Sequence, residues 1–128
     1  MPGYTVVKLL EIEPGERAKA RGIDARMARG AMESRDIGVS HFRYPAGYQA
    51  EGGHRHREQE EAYLVVGGSG RMRVGDDTVE LAPWDLVRVA PETVRAFAAG
   101  PDGLEVVAIG GPKPEGGDGE LAEISWPD

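Results

Sequence analysis

Short apolar stretches, each cut off by glycine or proline, run the length of the chain. The first, residues 6–12, predicts an opening strand stopped by Pro14-Gly15. Residues 16–36 give a mixed pattern. Gly22 and Gly30 weaken a helix, while Ile23, Ala25 and Met27 alternate with Asp24 and Arg26, which favours an irregular strand. Residues 39–44 predict a strand closed by Pro45-Ala46-Gly47, and the glycine-rich loop Glu51-Gly52-Gly53 leads into His54-Arg55-His56. Residues 61–66 are strongly strand-like and run up to Gly67-Gly68-Ser69-Gly70. A hairpin is expected from residues 71–74 and 78–81 around Gly75-Asp76-Asp77. Strands at 86–89, 94–98 and 104–109 follow, separated by Pro91-Glu92-Thr93 and by a turn at Gly100-Pro101-Asp102-Gly103. This rhythm of one strand every 8–12 residues or so belongs to a sandwich or barrel. Residues 111–119 read as a Pro/Gly/acidic linker, after which Ile124 and Trp126 are expected to fold back as an apolar anchor.

Composition narrows this picture. The 19 glycines and 9 prolines among 128 residues leave little room for long helices. A length of 128 residues suits one domain, residues 1–128, with an N-terminal strand or arm at 1–15, a barrel core at 34–112 and a tail at 111–128. No apolar run approaches the roughly 20 residues that a spanning helix needs. Met1-Pro2-Gly3-Tyr4 lacks the charged and apolar regions of a signal peptide. The expectation is a soluble, cytoplasmic protein without membrane contact. There is no cysteine, which removes disulfides, thiolate metal sites and cysteine nucleophiles from consideration. The net charge of −7 argues against a nucleic-acid partner. Arg17, Lys19, Arg21, Arg26 and Arg29 form a local basic run, read as a solvated face or edge strand.

The chemistry lies in one short segment. His54 and His56 flank a single residue, and on a strand positions i and i+2 face the same side. Both imidazoles then point into one space. Glu61, at the start of the next strand, brings a carboxylate opposite them. Two histidines and a carboxylate are a recognised set for iron and other divalent metals, with positions left open for water, oxygen or substrate.

At this point the chain resembles the cupins. Their first motif has a glycine, His-x-His, three or four residues, Glu, six residues and Gly. Here it reads His54-Arg55-His56, then Glu61, then Gly68; Glu60 with Gly67 satisfies the shorter spacing, and the run from Glu60 to Gly70 favours Glu61. The second motif carries a Pro-Gly-Asp turn, a strand, then Pro-Pro-Gly-Thr-x-His and a later Asn. This chain has Pro83-Trp84-Asp85, Ala90-Pro91-Glu92-Thr93-Val94-Arg95, and Ala99 at the Asn position. The resemblance spans residues 34–112. It implies an all-β double-stranded β-helix, or jelly-roll barrel, with little helix. It also implies a metal site of His54, His56 and Glu61 for manganese, iron, nickel or zinc, and a homodimer formed by packing sheets or exchanging residues 6–10. It leaves the reaction open, because the superfamily contains enzymes, storage proteins and sensors.

Arg95 is the sharpest departure, since it stands where the fourth metal ligand is expected and a guanidinium cannot coordinate a metal. Three arrangements are open to it: a bidentate pair with Glu61 that replaces the metal's charge, contact with an anionic ligand beside a metal, or an outward turn to solvent. Two function classes follow. One is a metal-dependent small-molecule enzyme using His54, His56 and Glu61. The other is a non-catalytic module holding a small anionic ligand through Arg95, with Tyr63 and Phe97 on the pocket wall. Met72 reads as wall or core, Trp84 as a packing or dimer-contact residue, and His41 as a wall or surface residue.

Overall fold

The computed structural model describes residues 3–127. Its sheet contains β1 (Asp24–Met27), β2 (Gly38–Tyr44), β3 (Gly52–His56), β4 (Glu61–Val74), β5 (Asp77–Leu81), β6 (Leu86–Val89), β7 (Arg95–Gly110) and β8 (Gly119–Glu123). Two single-turn helices, α1 (Glu16–Lys19) and α2 (Arg29–Met32), flank β1. The strands run in the order β1-β2-β7-β3-β8, and β4 pairs with β5, β6 and β7. The result is the expected all-β jelly roll with little helix.

Two long strands do most of the folding. The first half of β4 pairs with β6 and with the end of β7, while its second half pairs with β5 and with the start of β7. The register shifts between Val65 and Gly67 and again between Gly68 and Gly70. These glycines let the strands bend while remaining paired. A Cβ on Gly70 would lie 2.2 Å from the Ala98 carbonyl oxygen, and one on Gly68 (φ 72°) would lie 2.1 Å from the Gly103 carbonyl oxygen. Breaks were expected at 67–70 and 100–103, and both are corrected: each glycine cluster is a bend within a continuous strand. Glycine inside a strand marks a bulge or close backbone approach as readily as it marks a turn.

Alternation along the bent strands sends one set of side chains inward. Tyr63, Val65, Met72, Leu81, Val89, Phe97, Leu104, Val106 and Ala108 form the buried core, with Phe42, Tyr44 and Val87 packed against it. Phe97 stacks edge-on to Tyr63 at 5.1 Å and lies 5.6 Å from Tyr44. Phe97 and Tyr63 are therefore a packed floor.

The N-terminal region differs from expectation. Residues 6–12 contain a 3-10 turn at Leu9–Glu11 and no strand, and Val6 and Leu10 are exposed. A strand needs a ladder partner. This segment is tied to the barrel chiefly by Arg26 Nε donating to the Ile12 carbonyl and by Gly15 N–H donating to the Ala25 carbonyl. The irregular strand expected over 16–36 shrinks to β1, with Ile23 and Ala25 buried and Met27 exposed. Within the basic run, Arg26 also bonds Asp24, and Arg29 donates to the Gly111 carbonyl; both act as structural ties.

The sheet also extends beyond 34–112 at both ends, through β1 and β8. The stretch after residue 111 is thus more than a tail: β8 adds a strand along β3, pairing His56 with Gly119 and Gly52 with Glu123. Trp126 does anchor the chain end, donating from Nε1 to the Ala50 carbonyl at 2.8 Å beneath the Arg71 guanidinium.

Candidate metal centre

β3 places both histidines. It has almost no apolar residues of its own and is held by backbone pairing with β8 and, at His54, with Arg95 of β7. Gly53 permits this close seating, because a Cβ there would lie 2.8 Å from the Arg95 carbonyl oxygen and 2.8 Å from Ile124. The His56 N–H donates to the Pro91 carbonyl at 2.7 Å, which fixes the end of the strand.

Glu61 opens β4 on the inward face. One ligand atom from each of His54, His56 and Glu61 falls within 4.8 Å of the others. Glu61 Oε1 is 3.2 Å from His56 Nε2 and 3.6 Å from His54 Nε2. Glu60 points outward to Arg88, so Glu61 is the carboxylate on the histidine side. Tyr63, two residues along the same face, donates its hydroxyl to Glu61 Oε1 at 2.5 Å. Burial alone would raise the Glu61 pKa. The polar contact of the His54 ring, the hydrogen bond from Tyr63 and the positive charge of the imidazoles once protonated outweigh it and hold the carboxyl down at about 2. Burial pushes the Tyr63 phenol well above its ordinary value, and the adjacent carboxylate adds to the shift.

Arg95 is completely buried, which rules out the outward turn. Its Nη1 donates to the Pro91 and Thr93 carbonyls at 3.1 and 2.9 Å. Its Nη2 lies 3.5 Å from Glu61 Oε1, an ion-pair distance through one nitrogen, so the pair is not bidentate. Nη2 and Nε have no hydrogen-bond partner. Arg95 and Tyr63 both meet Glu61, Phe97 packs against Tyr63, and all three are buried; His54, with 41% of its side chain exposed, is the most open of the three candidate ligands.

His41 sits elsewhere. It alternates with the inward Phe42, and its Nε2 is 2.5 Å from Glu105 Oε2. It is buried, paired and remote from the His54–His56 pair in the sheet. Trp84 is exposed and adopts φ 75°, a conformation that favours glycine, which accounts for the glycine of the related motif at this turn.

Asp118 is the group that sequence reasoning missed. It is 4% exposed, accepts the Glu58 and Gln59 N–H groups on Oδ2 at 2.7 and 2.8 Å, and meets His56 Nδ1 with Oδ1 at 2.9 Å. Burial opposes its ionisation. The Glu58 N–H, His56 and the Gln59 N–H outweigh burial and hold its pKa at about 2. The available signal was a lone acid between glycines, Gly117-Asp118-Gly119, in an otherwise featureless linker.

A family model for the cupin domain matches residues 40–110, more than half of the chain. The chain belongs to the cupin family. Among solved structures, this cupin is similar to a Bacteroides fragilis cupin protein at TM-score 0.72 and 21% identity, over 89% of this chain and 88% of that one. It is also similar to a Silicibacter pomeroyi sugar phosphate isomerase from the cupin superfamily (TM-score 0.70, 20% identity, 86% and 77% covered). A third neighbour is the Streptomyces protein PAC13 with uridine (TM-score 0.71, 20% identity, 95% and 92% covered). At these identities the likeness establishes the fold. No curated protein sequence matches the chain. No helix among the described residues is long and apolar enough to cross a membrane.

The donor set of this cupin fits a metal. Asp118 Oδ1 can only accept, so His56 Nδ1 carries a proton, and His56 Nε2 faces Glu61 Oε1. His56 Nε2 is buried without a hydrogen-bond partner among the described residues. Whenever Nε2 carries no proton, two acceptors face each other at 3.2 Å, and a cation between or beside them removes the conflict.

Proposed function

We propose that this cupin holds a divalent metal through His54, His56 and Glu61 and uses the open positions of that metal to bind, or act on, a small anionic molecule at the barrel mouth. The unpartnered, buried His56 Nε2 facing Glu61 carries the reading. A bound manganese, iron, nickel or zinc would supply Lewis acidity there. The protein groups have separate tasks. Tyr63 keeps Glu61 ionised and in place, and Arg95 balances its charge from below. With Glu61 and Asp118 at −1 each and Arg95 at +1, a divalent ion leaves the site at +1, which favours an anionic ligand. The sugar phosphate isomerase among the structural neighbours has substrates of that charge, in agreement with this reading. Arg95 acts on the ligand through Glu61 and the field of the site, since its own side chain is covered.

A second reading is favoured by Arg95 itself. Its guanidinium already lies beside Glu61, as a metal's charge would, and a non-catalytic binding module with no metal follows if that charge suffices. Elemental analysis of protein purified without an affinity tag decides between the two. Stoichiometric metal, lost in H56A while the β-sheet circular dichroism persists, supports the first reading. Protein that contains no stoichiometric metal and takes up none of manganese, iron, nickel or zinc refutes it.

The chain is also proposed to form a homodimer through the outer sheet face. Leu86, Leu64 and Val107 fall in one register row across β6, β4 and β7 on that face, and Leu86 is 64% exposed.

A further inference from the structure

Beyond the three candidate ligands, one buried acid reaches the site from the C-terminal segment. Asp118 uses both carboxylate oxygens. Oδ2 takes the Glu58 and Gln59 N–H groups, which lie in the loop between His56 and Glu61. Oδ1 takes the His56 ring nitrogen. The same carboxylate therefore ties the loop that sets the His56–Glu61 spacing and the ring whose lone pair enters the site. The following residue, Gly119, pairs with His56 across β3 and β8, and a Cβ there would sit 3.7 Å from His56 Cε1. The ring is thus held edge-on by the chain that carries Asp118.

An imidazole ligates through an unprotonated nitrogen, and the partner of its other nitrogen decides which one that is. We propose that Asp118 is a positioning residue. It holds the His56 proton on Nδ1, aims the Nε2 lone pair at Glu61 and the space beside it, and so makes β8 part of the metal centre. This rests on the metal-binding reading above. A carboxylate behind the ring also raises the basicity of the ligating nitrogen.

D118N separates this role from simple packing. The asparagine carbonyl oxygen can keep both loop N–H groups, the larger share of the bonds. That orientation turns its NH₂ towards His56 Nδ1, so the amide donates where the acid accepted and the ring proton moves to Nε2. The test is nitrogen-15 NMR of the metal-free protein, about two pH units above the ordinary imidazole value of about 6.5, together with zinc affinity measured by chelator competition. The expected result is a wild-type His56 protonated on Nδ1 alone and a D118N ring protonated on Nε2. Zinc affinity should fall about 10- to 100-fold with melting temperature little changed. A wild-type ring protonated on Nε2, or on both nitrogens, overturns the proposal; so does D118N with wild-type tautomer and affinity. If D118N does not fold, the wild-type spectrum still decides. Absence of zinc uptake by wild type would sink the metal reading separately, whatever the tautomer proves to be.

Discussion

Replacing Arg95 by methionine removes a buried charge while keeping most of the side-chain volume, and the structure sets the size of two effects. On stability, Nη1 makes two hydrogen bonds to carbonyls, and Nη2 stands 3.5 Å from Glu61 Oε1. At an effective dielectric of about 20, that ion pair has a gross attraction of about 5 kcal/mol, and much of it is offset by the guanidinium's own desolvation. Breaking a buried pair costs about 3–5 kcal/mol. Glu61 keeps Tyr63 and the histidines as partners, so about 3 kcal/mol is expected, or about 10 °C in melting temperature for a chain of this length. On metal binding the sign reverses. Arg95 competes for the oxygen that a metal would share, and its positive charge repels a cation held by the same carboxylate. R95M should therefore melt lower and bind zinc at least tenfold more tightly; R95H, which restores the fourth ligand of related motifs, should bind more tightly still. Differential scanning calorimetry of metal-free protein and chelator competition read the two quantities. Unchanged melting together with unchanged or weaker zinc binding would refute the reasoning.

Two further outcomes follow from the same geometry. Glu61 is held at about 2 against an ordinary 4.5; because the folded value is the lower one, its contribution of at most about 3 kcal/mol is fully present above about pH 4.5 and lost as pH falls towards 2. Acid unfolding of metal-free E61Q should be shallower than wild type across that window, and parallel curves by circular dichroism would contradict this. If the outer sheet face joins two copies, L86D should shift the protein from dimer to monomer in light scattering at micromolar concentration; a wild type that is already monomeric would refute the interface.

Strands with a buried face were legible because alternation writes them into the sequence. Residues 39–44, 61–66 and 86–89 coincide closely with β2, the first half of β4, and β6. The pair His54 and His56 was legible from its i, i+2 spacing, and Glu61 over Glu60 from the run that follows it. What failed was pairing without a core face. β3, Gly-Gly-His-Arg-His, and β8, Gly-Glu-Leu-Ala-Glu, bury almost no apolar surface, and Leu121 is fully exposed. Backbone hydrogen bonds and polar side-chain contacts such as Arg55 to Glu120 hold them together, and those leave no hydrophobic trace. Asp118 was hidden with them. The opposite error befell residues 6–12, whose apolar content looks like a strand but which find no ladder among the described residues. Gly68 and Gly103 show the third kind of ambiguity, since a positive φ serves a bend inside β4 or β7 as well as it serves a turn.

Arg95 and Asp118 pull the proposed centre in opposite directions. Asp118 sits behind His56 and strengthens it as a donor; Arg95 sits behind Glu61 and weakens it by drawing on the same oxygen. A site with only three protein ligands, one reinforced and one restrained, should hold its metal less tightly than a four-ligand set. It should also keep more positions open to an incoming anion. The buried guanidinium adds a positive charge that the ligand cannot reach but whose field it feels through a medium of low dielectric. The consequence is coupling. An anion arriving at the metal lowers the net charge that opposes the metal, so ligand and metal should each tighten the other, by reciprocity of binding free energies. Removing the charge at Arg95 should weaken that coupling even as it strengthens metal binding alone, which sets Arg95 apart from an ordinary structural arginine.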